Sequence, residues 1–154
     1  MVPKTDDQSA ELRLAVQGFV RRFGLLRDDR TPCGEPLTVS HGHALMILLE
    51  RGEGAPVVQR DLARALGLDK SSVARLCSRM ERARHIEQRR SELDGRAREI
   101  TLTEKGERVA RRVDAESRAR FSRVLDAIPT KQRALVVEAV KLLESAVRTI
   151  EASS

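Results

Sequence analysis

Apolar residues recur at spacings of three and four along most of this chain, which is the period of an amphipathic helix. A first helix is predicted from about Ser9 to Arg27. Its apolar face consists of Leu12, Val16, Phe19, Val20 and Phe23. The segment DDRTPCGEP then breaks the pattern with two prolines and a glycine, and LTVSHGHALMILLE predicts a second helix. Its core-facing residues are Ala44, Leu45, Leu48 and Leu49.

Two shorter helices are predicted next, separated by the three-residue turn GLD. The segment VVQRDLARAL predicts the third helix, with Leu62, Ala63 and Leu66 facing inward. The segment KSSVARLCSRMERAR predicts the fourth, with Asp69 as its N-cap. One side of the fourth helix is apolar and consists of Val73, Leu76, Cys77 and Met80. The other side is free to contact a partner and consists of Lys70, Ser71, Ala74, Arg75, Ser78 and Arg79.

A β-hairpin is predicted directly after the fourth helix. The strand-like segments IEQRR and REITL are joined by SELDGRA, in which Gly95 relieves the turn. Thr103 is predicted to cap a fifth helix, TEKGERVARRVDAESRARFSRVLDAI, which Pro129 ends. The last helix, TKQRALVVEAVKLLESAVRTIEA, carries an apolar stripe of the kind that packs against another helix. The stripe consists of Val136, Val140, Leu143, Val147 and Ile150.

Charge is concentrated around the fourth helix and the hairpin. The 154 residues suit one domain, or a small domain plus an oligomerisation element, and carry a net charge of +6. Eleven basic and six acidic residues lie between Arg60 and Arg98, which gives a local surplus of five positive charges. Arg89, Arg90 and Arg96 join Arg98 around one short loop, where they repel each other unless an anion approaches. Aromatic residues make up only 2% of the chain, which favours duplex nucleic acid over single strands recognised by base stacking.

Other classes of protein are disfavoured. No apolar run approaches the roughly 18 residues of a membrane span, and no signal peptide is recognisable, so a cytoplasmic protein is expected. The chain has no GxSxG, HExxH or P-loop motif, so neither an enzyme nor a cofactor is predicted. A metal site is not predicted either, because His41 and His43 on one helix point about 200° apart.

The remaining candidate side chains have modest interpretations. His85 is expected to be a capping or partly buried residue. Cys77 is expected to be an inert thiol of the core. Cys33 lies in a loop with proline and glycine, and an exposed, redox-active thiol remains an alternative to a structural one.

Two helices joined by a short turn and followed by a hairpin predict a winged helix-turn-helix. The expected fold is therefore mainly α with a small β-hairpin wing, together with N- and C-terminal dimerisation helices. In this arrangement the fourth helix enters the major groove of DNA, and the wing lies along the neighbouring backbone or minor groove. The winged helix is expected at residues 37–103, between a dimerisation helix and loop at 1–36 and a linker and dimerisation helices at 104–154.

The same segments resemble the MarR (multiple antibiotic resistance regulator) family of dimeric bacterial transcription factors. The resemblance is carried by LTVSHGHALMILLE, RDLARALGLDKSSVARLCSRME and IEQRRSELDGRAREITLTEKG. Its most specific part is Asp94-Gly95-Arg96 followed by LTEKG. The resemblance implies that Arg96 enters the minor groove and that Asp94 helps to orient it. It also implies that the recognition helix carries Lys70, Ser71, Ser72, Arg75 and Arg79.

Three positions depart from the family pattern. Val58 stands where a Ser or Thr commonly caps the third helix, so a cap worth ~1 kcal/mol is missing. Arg84 stands where a Gly commonly ends the fourth helix, and a left-handed conformation there costs roughly 1–2 kcal/mol. Gln88 replaces a common Arg at the start of the wing, although Arg89 follows it.

The sequence therefore predicts a sequence-specific regulator that binds double-stranded DNA. A ligand-responsive repressor is expected, acting as a homodimer on a palindromic operator, and the resemblance implies a small aromatic or phenolic effector. The expected DNA contacts are Lys70, Ser71, Ser72, Arg75, Ser78, Arg79, Arg89, Arg90, Asp94, Arg96 and Arg98. The expected dimer interface consists of Leu12, Val16, Phe19, Val136, Val140, Leu143, Val147 and Ile150. The alternative is a winged helix that serves protein–protein contacts without specific DNA binding.

Overall fold

The described residues form six helices and one small antiparallel sheet. The computed structural model describes residues 5–32, 34–52 and 54–153. In chain order the elements are α1 (Thr5–Phe23), α2 (Val39–Glu50), β1 (Val57–Val58), α3 (Gln59–Leu66), α4 (Lys70–Arg82), β2 (Ile86–Arg90), β3 (Arg98–Leu102), α5 (Glu104–Asp126) and α6 (Thr130–Ala152). The predicted fold class, mainly α with a small wing, is confirmed. No helix in the described part of the chain is long and apolar enough to cross a bilayer.

Two compact units make up the chain, the first ending at Ser117 and the second beginning at Arg118. The first unit contains the hydrophobic core, to which α2, α3, α4, the sheet and the start of α5 contribute. Its largest fully buried side chains include Leu45, Leu48, Leu62, Leu76, Met80, Ile86 and Ile100. The first unit extends beyond residue 103 because Val109, Ala110 and Val113 of α5 are buried in this core. In the second unit, no described residue of α6 is buried.

The sheet contains a strand that the sequence analysis did not predict. Its order is β1-β3-β2, and both neighbouring pairs are antiparallel. Val57 pairs with Ile100, so the prediction that helix three begins at Val57 is wrong and α3 begins at Gln59. Two β-branched residues favour the extended conformation, and Val57 is buried against the core. Val58 then occupies the N-cap position without a side-chain hydrogen bond, as its lack of a hydroxyl predicts.

The first helix is displaced from its predicted range. It spans Thr5–Phe23, about four residues earlier than predicted at both ends. Gly24 has φ +85°, a left-handed conformation that stops helices, and apolar periodicity alone does not reveal such a stop. The other long helices end close to their predicted boundaries, and α6 matches its predicted range.

The helix α4 ends in a tight turn built around Arg84. The N–H of His85 donates to the carbonyl of Met80 at 3.0 Å, and the N–H of Arg84 donates to that of Glu81 at 2.8 Å. These two bonds form a Schellman motif, which requires a left-handed residue after the helix. Arg84 has φ +59° and is the one non-glycine residue with positive φ in the described ranges. The expected departure at this position is confirmed.

The start of α5 is attached to this turn through Thr103. The Thr103 hydroxyl accepts from the N–H of Gly106 at 3.0 Å, which confirms the predicted cap, and donates to the Arg84 carbonyl at 2.7 Å. The Thr103 N–H donates to the His85 carbonyl at 3.0 Å, and Lys105 Nζ donates to the Ala83 carbonyl at 2.8 Å. A Cβ added to Gly106 would lie 1.8 Å from the His85 carbonyl oxygen, so only glycine fits there.

A buried histidine pair links α2 to the same turn. His41 and His85 are 8% and 7% exposed, and His41 Nε2 lies 3.0 Å from His85 Nδ1. Burial, with the charges of His85 and Arg79, lowers the pKa of His41 to about 4. Burial, with the charges of Lys105 and Arg112, also lowers the pKa of His85. His85 is therefore a buried partner of His41, whereas a capping or partly buried residue was expected.

His43 points away from this pair. It is exposed on α2 while His41 is buried, as their spacing on a helix predicts. Within the described ranges no three His, Cys, Asp or Glu side chains form a group that could hold a metal ion.

Acid should destabilise the fold through the histidine pair. Unfolded imidazoles take up protons near pH 6.5, whereas the folded pair resists protonation down to about pH 4 for His41. The unfolded state therefore binds more protons than the folded state below pH 6.5. The free energy of unfolding is at its maximum with respect to this pair above pH 6.5 and falls as the pH drops toward 4. Urea unfolding should show a loss on the order of 2 kcal/mol from this pair between pH 7 and pH 4.5. The variant His41→Gln should lose less stability over that range, whereas the exposed control His43→Gln should behave as the parent; an equal loss in all three proteins would contradict this account.

Replacing Arg84 with glycine should stabilise the protein. Arg84→Gly removes the penalty of a left-handed side chain and should raise the free energy of unfolding by ~1 kcal/mol. The matched control Arg82→Gly places glycine inside the last turn of α4 and should lower the free energy of unfolding by up to ~1 kcal/mol. Thermal or urea unfolding measures both, and a less stable Arg84→Gly variant would contradict the strain assigned to Arg84.

Candidate nucleic-acid interface

The N-terminus of α4 is fixed by Asp69, as predicted. Asp69 Oδ1 accepts from the N–H groups of Ser71 and Ser72, both at 2.8 Å. Its Oδ2 accepts from the Ser72 hydroxyl at 2.6 Å. These hydrogen bonds hold the pKa of the Asp69 carboxyl well below its usual range, and the largest contributions come from the hydroxyls of Ser72 and then Ser71. The cap therefore remains ionised, and the first turn of the helix is rigid.

The inward face of α4 is part of the core. Its buried residues are Val73, Leu76, Cys77 and Met80, as predicted. Burial raises the pKa of the Cys77 thiol to about 11, with the charge of Glu81 contributing. Cys77 therefore stays a thiol at neutral pH. Cys33, whose exposure and redox activity were left open, lies outside the described residues.

An open groove of about 890 Å³ separates α4 from the hairpin, residues 86–102, which we call the wing. Among the predicted DNA contacts, those that line this groove are Lys70, Ser78, Asp94, Arg96 and Arg98. Ser71, Arg75 and Arg79 are exposed on α4 but do not line the groove. Ser72 is half-buried, and its hydroxyl accepts a hydrogen bond from Arg75 Nη2 of the same helix at 3.1 Å. We call the predicted residues that line the groove the groove set, namely Lys70, Ser78, Asp94, Arg96 and Arg98. We call Ser71, Arg75 and Arg79 the outer set.

The third helix contributes residues that the sequence analysis left out of the site. Gln59, Arg60 and Arg64 also line the groove. The side chains of Arg60 and Arg64 are each 78% exposed, and both approach Asp61, at 3.7 and 3.9 Å. Their four-residue spacing on the polar side of α3 was the available signal, because it places both cations on one helical face. The groove is therefore cationic on the α3 side as well as on the wing side.

The tip of the wing is held by hydrogen bonds from Asp94. Its carbonyl accepts from the Ala97 N–H at 2.8 Å, and its Oδ1 accepts from the Arg96 N–H at 3.0 Å. The predicted role of Gly95 is wrong, because Gly95 does not have a positive φ and the turn is closed by the Asp94 side chain. Among the described ion pairs none joins Asp94 to the Arg96 guanidinium, so Asp94 fixes the backbone from which that guanidinium projects.

The wing places two arginines directly opposite each other. Arg90 of β2 pairs with Arg98 of β3, and both side chains are exposed. Like charges at facing positions of antiparallel strands repel each other. The next pair, Arg89 and Glu99, has opposite charges, and Arg89 also contacts Glu87 at 3.0 Å. An anion that binds beside Arg90 and Arg98 would relieve this repulsion.

The residues predicted to form a dimer interface are largely exposed in the single chain. In the first unit Leu12 is 51% exposed and Phe19 is 50% exposed, and Val16 is also exposed. In the second unit the exposed members are Val136, Val140, Val147 and Ile150, and Leu143 is half-buried. Exposed apolar stripes are typical of surfaces that a partner covers. The dimer itself stays a prediction.

Comparison with known proteins identifies relatives of the same fold. The model of the MarR family matches residues 36–97, whereas a search of curated proteins finds no match. The chain is 25% identical to the PcaV transcriptional regulator of Streptomyces coelicolor, with a TM-score of 0.66 over 89% of this chain and 96% of PcaV. PcaV is also solved in complex with its natural ligand.

Two further solved structures show the same fold at lower identity. AbsC, a MarR family transcriptional regulator from Streptomyces coelicolor, is 23% identical over 97% of this chain and 98% of AbsC, with a TM-score of 0.70. FabT of Streptococcus pneumoniae, solved in complex with DNA, is 19% identical over 94% of this chain and 97% of FabT, with a TM-score of 0.68. The winged helix, the matched segment and these shared folds show that the chain is similar to transcriptional regulators of the MarR family.

Proposed function

We propose that this chain is a transcription regulator that binds specific sequences of double-stranded DNA. It acts as a homodimer on a palindromic operator, and it is a repressor whose DNA binding responds to a small molecule. The observation that carries the proposal is the opposed pair Arg90 and Arg98 on a wing beside a cationic groove. An anion such as a DNA phosphate that binds beside this pair would relieve the repulsion between the two arginines.

The groove set and the outer set have different roles in this proposal. Arg75 and Arg79 on the outer set reach base edges in the major groove, where arginine pairs with guanine. Lys70, Arg96 and Arg98 of the groove set neutralise the phosphate backbone, with Arg96 reaching the minor groove. Arg60 and Arg64 extend the backbone contacts onto α3. The complex of FabT with DNA supports a duplex as the ligand.

The dimer and the effector are supported by different observations. The exposed apolar residues of α1 and the stripe of α6 suit a homodimer built from N- and C-terminal dimerisation helices. A two-fold dimer reads two half-sites about one helical turn, ~10 bp, apart, so the operator is a palindrome. The PcaV structure with its natural ligand supports an effector for this chain, of the small aromatic or phenolic kind.

Arginine substitutions should separate base reading from backbone binding. After the operator is selected from a random pool of duplexes, Arg75→Ala should weaken operator binding by ~1–3 kcal/mol and leave scrambled DNA nearly unaffected. Arg96→Ala should weaken binding to both duplexes and flatten the salt dependence by about one counterion. Asp94→Ala should weaken binding to both duplexes by less than Arg96→Ala does. The arginine keeps its charge in this variant, but its backbone loses the hydrogen bond from the Arg96 N–H to Asp94. Titrations at several salt concentrations measure all three.

The control for net charge is Arg108→Ala, on α5. Arg108 does not line the groove and pairs with Glu104, so its removal should leave DNA binding close to that of the parent. If Arg96→Ala binds both duplexes as tightly as the parent, the wing is a solvated loop. If the parent binds no duplex at all, the alternative of a protein–protein module replaces the proposal.

A charge in the α6 stripe should break the dimer. Val140→Glu places a carboxylate on the expected seam and should give a monomer in sedimentation, with loss of the preference for two half-sites over one. Ser145→Glu adds the same charge off the stripe and should remain a dimer. A dimeric Val140→Glu, or selection of a single asymmetric half-site by the parent, would place the interface elsewhere.

A further inference from the structure

A single pair of side chains ties the recognition helix to the wing. Glu81 lies in the last turn of α4, and Gln88 lies in the middle of β2. The Gln88 N–H donates to Glu81 Oε1 at 3.2 Å, and Gln88 Nε2 donates to Glu81 Oε2 at 3.0 Å. Among the residues that the structure describes, no other α4 side chain hydrogen-bonds to the wing. Both residues line the groove between the two elements.

This pair lies where the wing begins to diverge from the helix. The strand β2 is held at its start by Ile86, which is 1% exposed in the core. Its far end carries exposed Arg90 and the hairpin tip. Gln88 is the next inward position after Ile86, facing Ile100 across the sheet. Hydrogen bonds at Gln88 therefore restrict the angle at which the rest of the wing leaves α4.

The angle matters because α4 and the wing must meet different parts of the duplex simultaneously. On a specific operator the bases fix the position of α4, so the wing reaches its own contact only if its distance from α4 is correct. A wing that is free to move loses conformational freedom on binding, which weakens the complex. Non-specific binding needs only phosphate contacts and tolerates many positions. Loosening the wing should therefore weaken operator binding more than binding to other DNA.

The pair also keeps a negative charge in the groove. Gln88 is neutral, so it satisfies both oxygens of Glu81 without neutralising the carboxylate. An arginine at this position, which the MarR pattern commonly has, would form an ion pair instead. The carboxylate shares the groove with Lys70, Arg96 and Arg98 and repels the phosphates of any duplex equally, whatever its sequence.

We propose that Glu81 and Gln88 are positioning residues that set the preference of this protein for its operator over other DNA. Their hydrogen bonds set the ratio of the two affinities by fixing the wing relative to α4. The charge of Glu81 sets the level of both affinities together. The inference rests on the proposed function as a DNA-binding regulator, and the experiment below separates the two.

Two single variants and their combination distinguish geometry from charge. Gln88→Leu removes the side-chain hydrogen bond and keeps the carboxylate. Glu81→Gln keeps an acceptor for the Gln88 N–H and an amide partner for its side chain, and it removes the charge. The double variant Glu81→Gln with Gln88→Glu, the exchanged pair, keeps both hydrogen bonds and the negative charge. The carboxylate now lies on β2, and the amide of residue 81 both accepts from the N–H of residue 88 and donates to the new carboxylate. Glu116→Gln, an exposed residue of α5 that does not line the groove, controls for the change in net charge.

Each full-length variant is titrated with operator and scrambled duplexes at several salt concentrations. Gln88→Leu should lower operator affinity about tenfold and leave scrambled DNA within about twofold of the parent, so that the ratio falls. Glu81→Gln should raise both affinities by a similar factor and steepen the salt dependence by up to about one counterion, with the ratio kept. The exchanged pair should restore the parent ratio. Hydrogen exchange should be faster in the wing of Gln88→Leu, while its unfolding midpoint stays near that of the parent.

The contrary outcomes are distinct. If the parent binds the operator and Gln88→Leu and the exchanged pair both keep its ratio, the pair has no role in specificity and the inference is overturned, while the proposed function stands. If Gln88→Leu lowers the ratio but the exchanged pair does not restore it, the hydrogen bonds are not the cause, and the inference is likewise overturned. If the parent itself binds no duplex, the proposed function fails and the inference fails with it.

Discussion

The architecture depends on one close contact, between the backbone of Gly106 and the carbonyl of His85. At this point α4 has just ended, β2 is about to begin and α5 starts its first turn. Thr103 binds the His85 and Arg84 carbonyls, and the absence of a Cβ at Gly106 lets the α5 backbone come this near. The end of α4 therefore fixes the directions in which the wing and the start of α5 leave it. A structural glycine outside the groove thus determines how α4, the wing and the start of α5 are arranged.

Much of this fold is predictable because each helix buries a periodic apolar face. Leu45 and Leu48 of α2 and Leu76 and Met80 of α4 are fully or almost fully buried, as their spacing predicts. The strand β1 was missed because two residues are too few to show the alternation of buried and exposed side chains that marks a strand. Val57 and Val58 were therefore assigned to the start of the neighbouring helix. Boundaries set by a single backbone conformation, such as that of Gly24, are equally invisible to periodicity.

The candidate site was predictable in its composition but not in its arrangement. The sequence shows that arginines cluster around the wing, whereas the register that opposes Arg90 to Arg98 comes from the pairing of the strands. The pairing of His41 with His85 joins positions 44 residues apart, and no local pattern indicates such a contact. The link between Glu81 and Gln88 is hidden for the same reason, because helical and strand periodicities are independent and only the turn at Arg84 relates them.

The facing arginines of the wing also make this protein sensitive to the kind of anion in its surroundings. Two guanidinium groups held side by side bind phosphate or sulfate better than chloride, because one polyvalent oxyanion accepts hydrogen bonds from both. Buffers of equal ionic strength are therefore not equivalent for this protein. If these arginines contact DNA as proposed, phosphate would compete with the DNA backbone for Arg90 and Arg98, and it would reduce their mutual repulsion when DNA is absent. DNA affinities measured in phosphate and in chloride would then differ even at equal ionic strength.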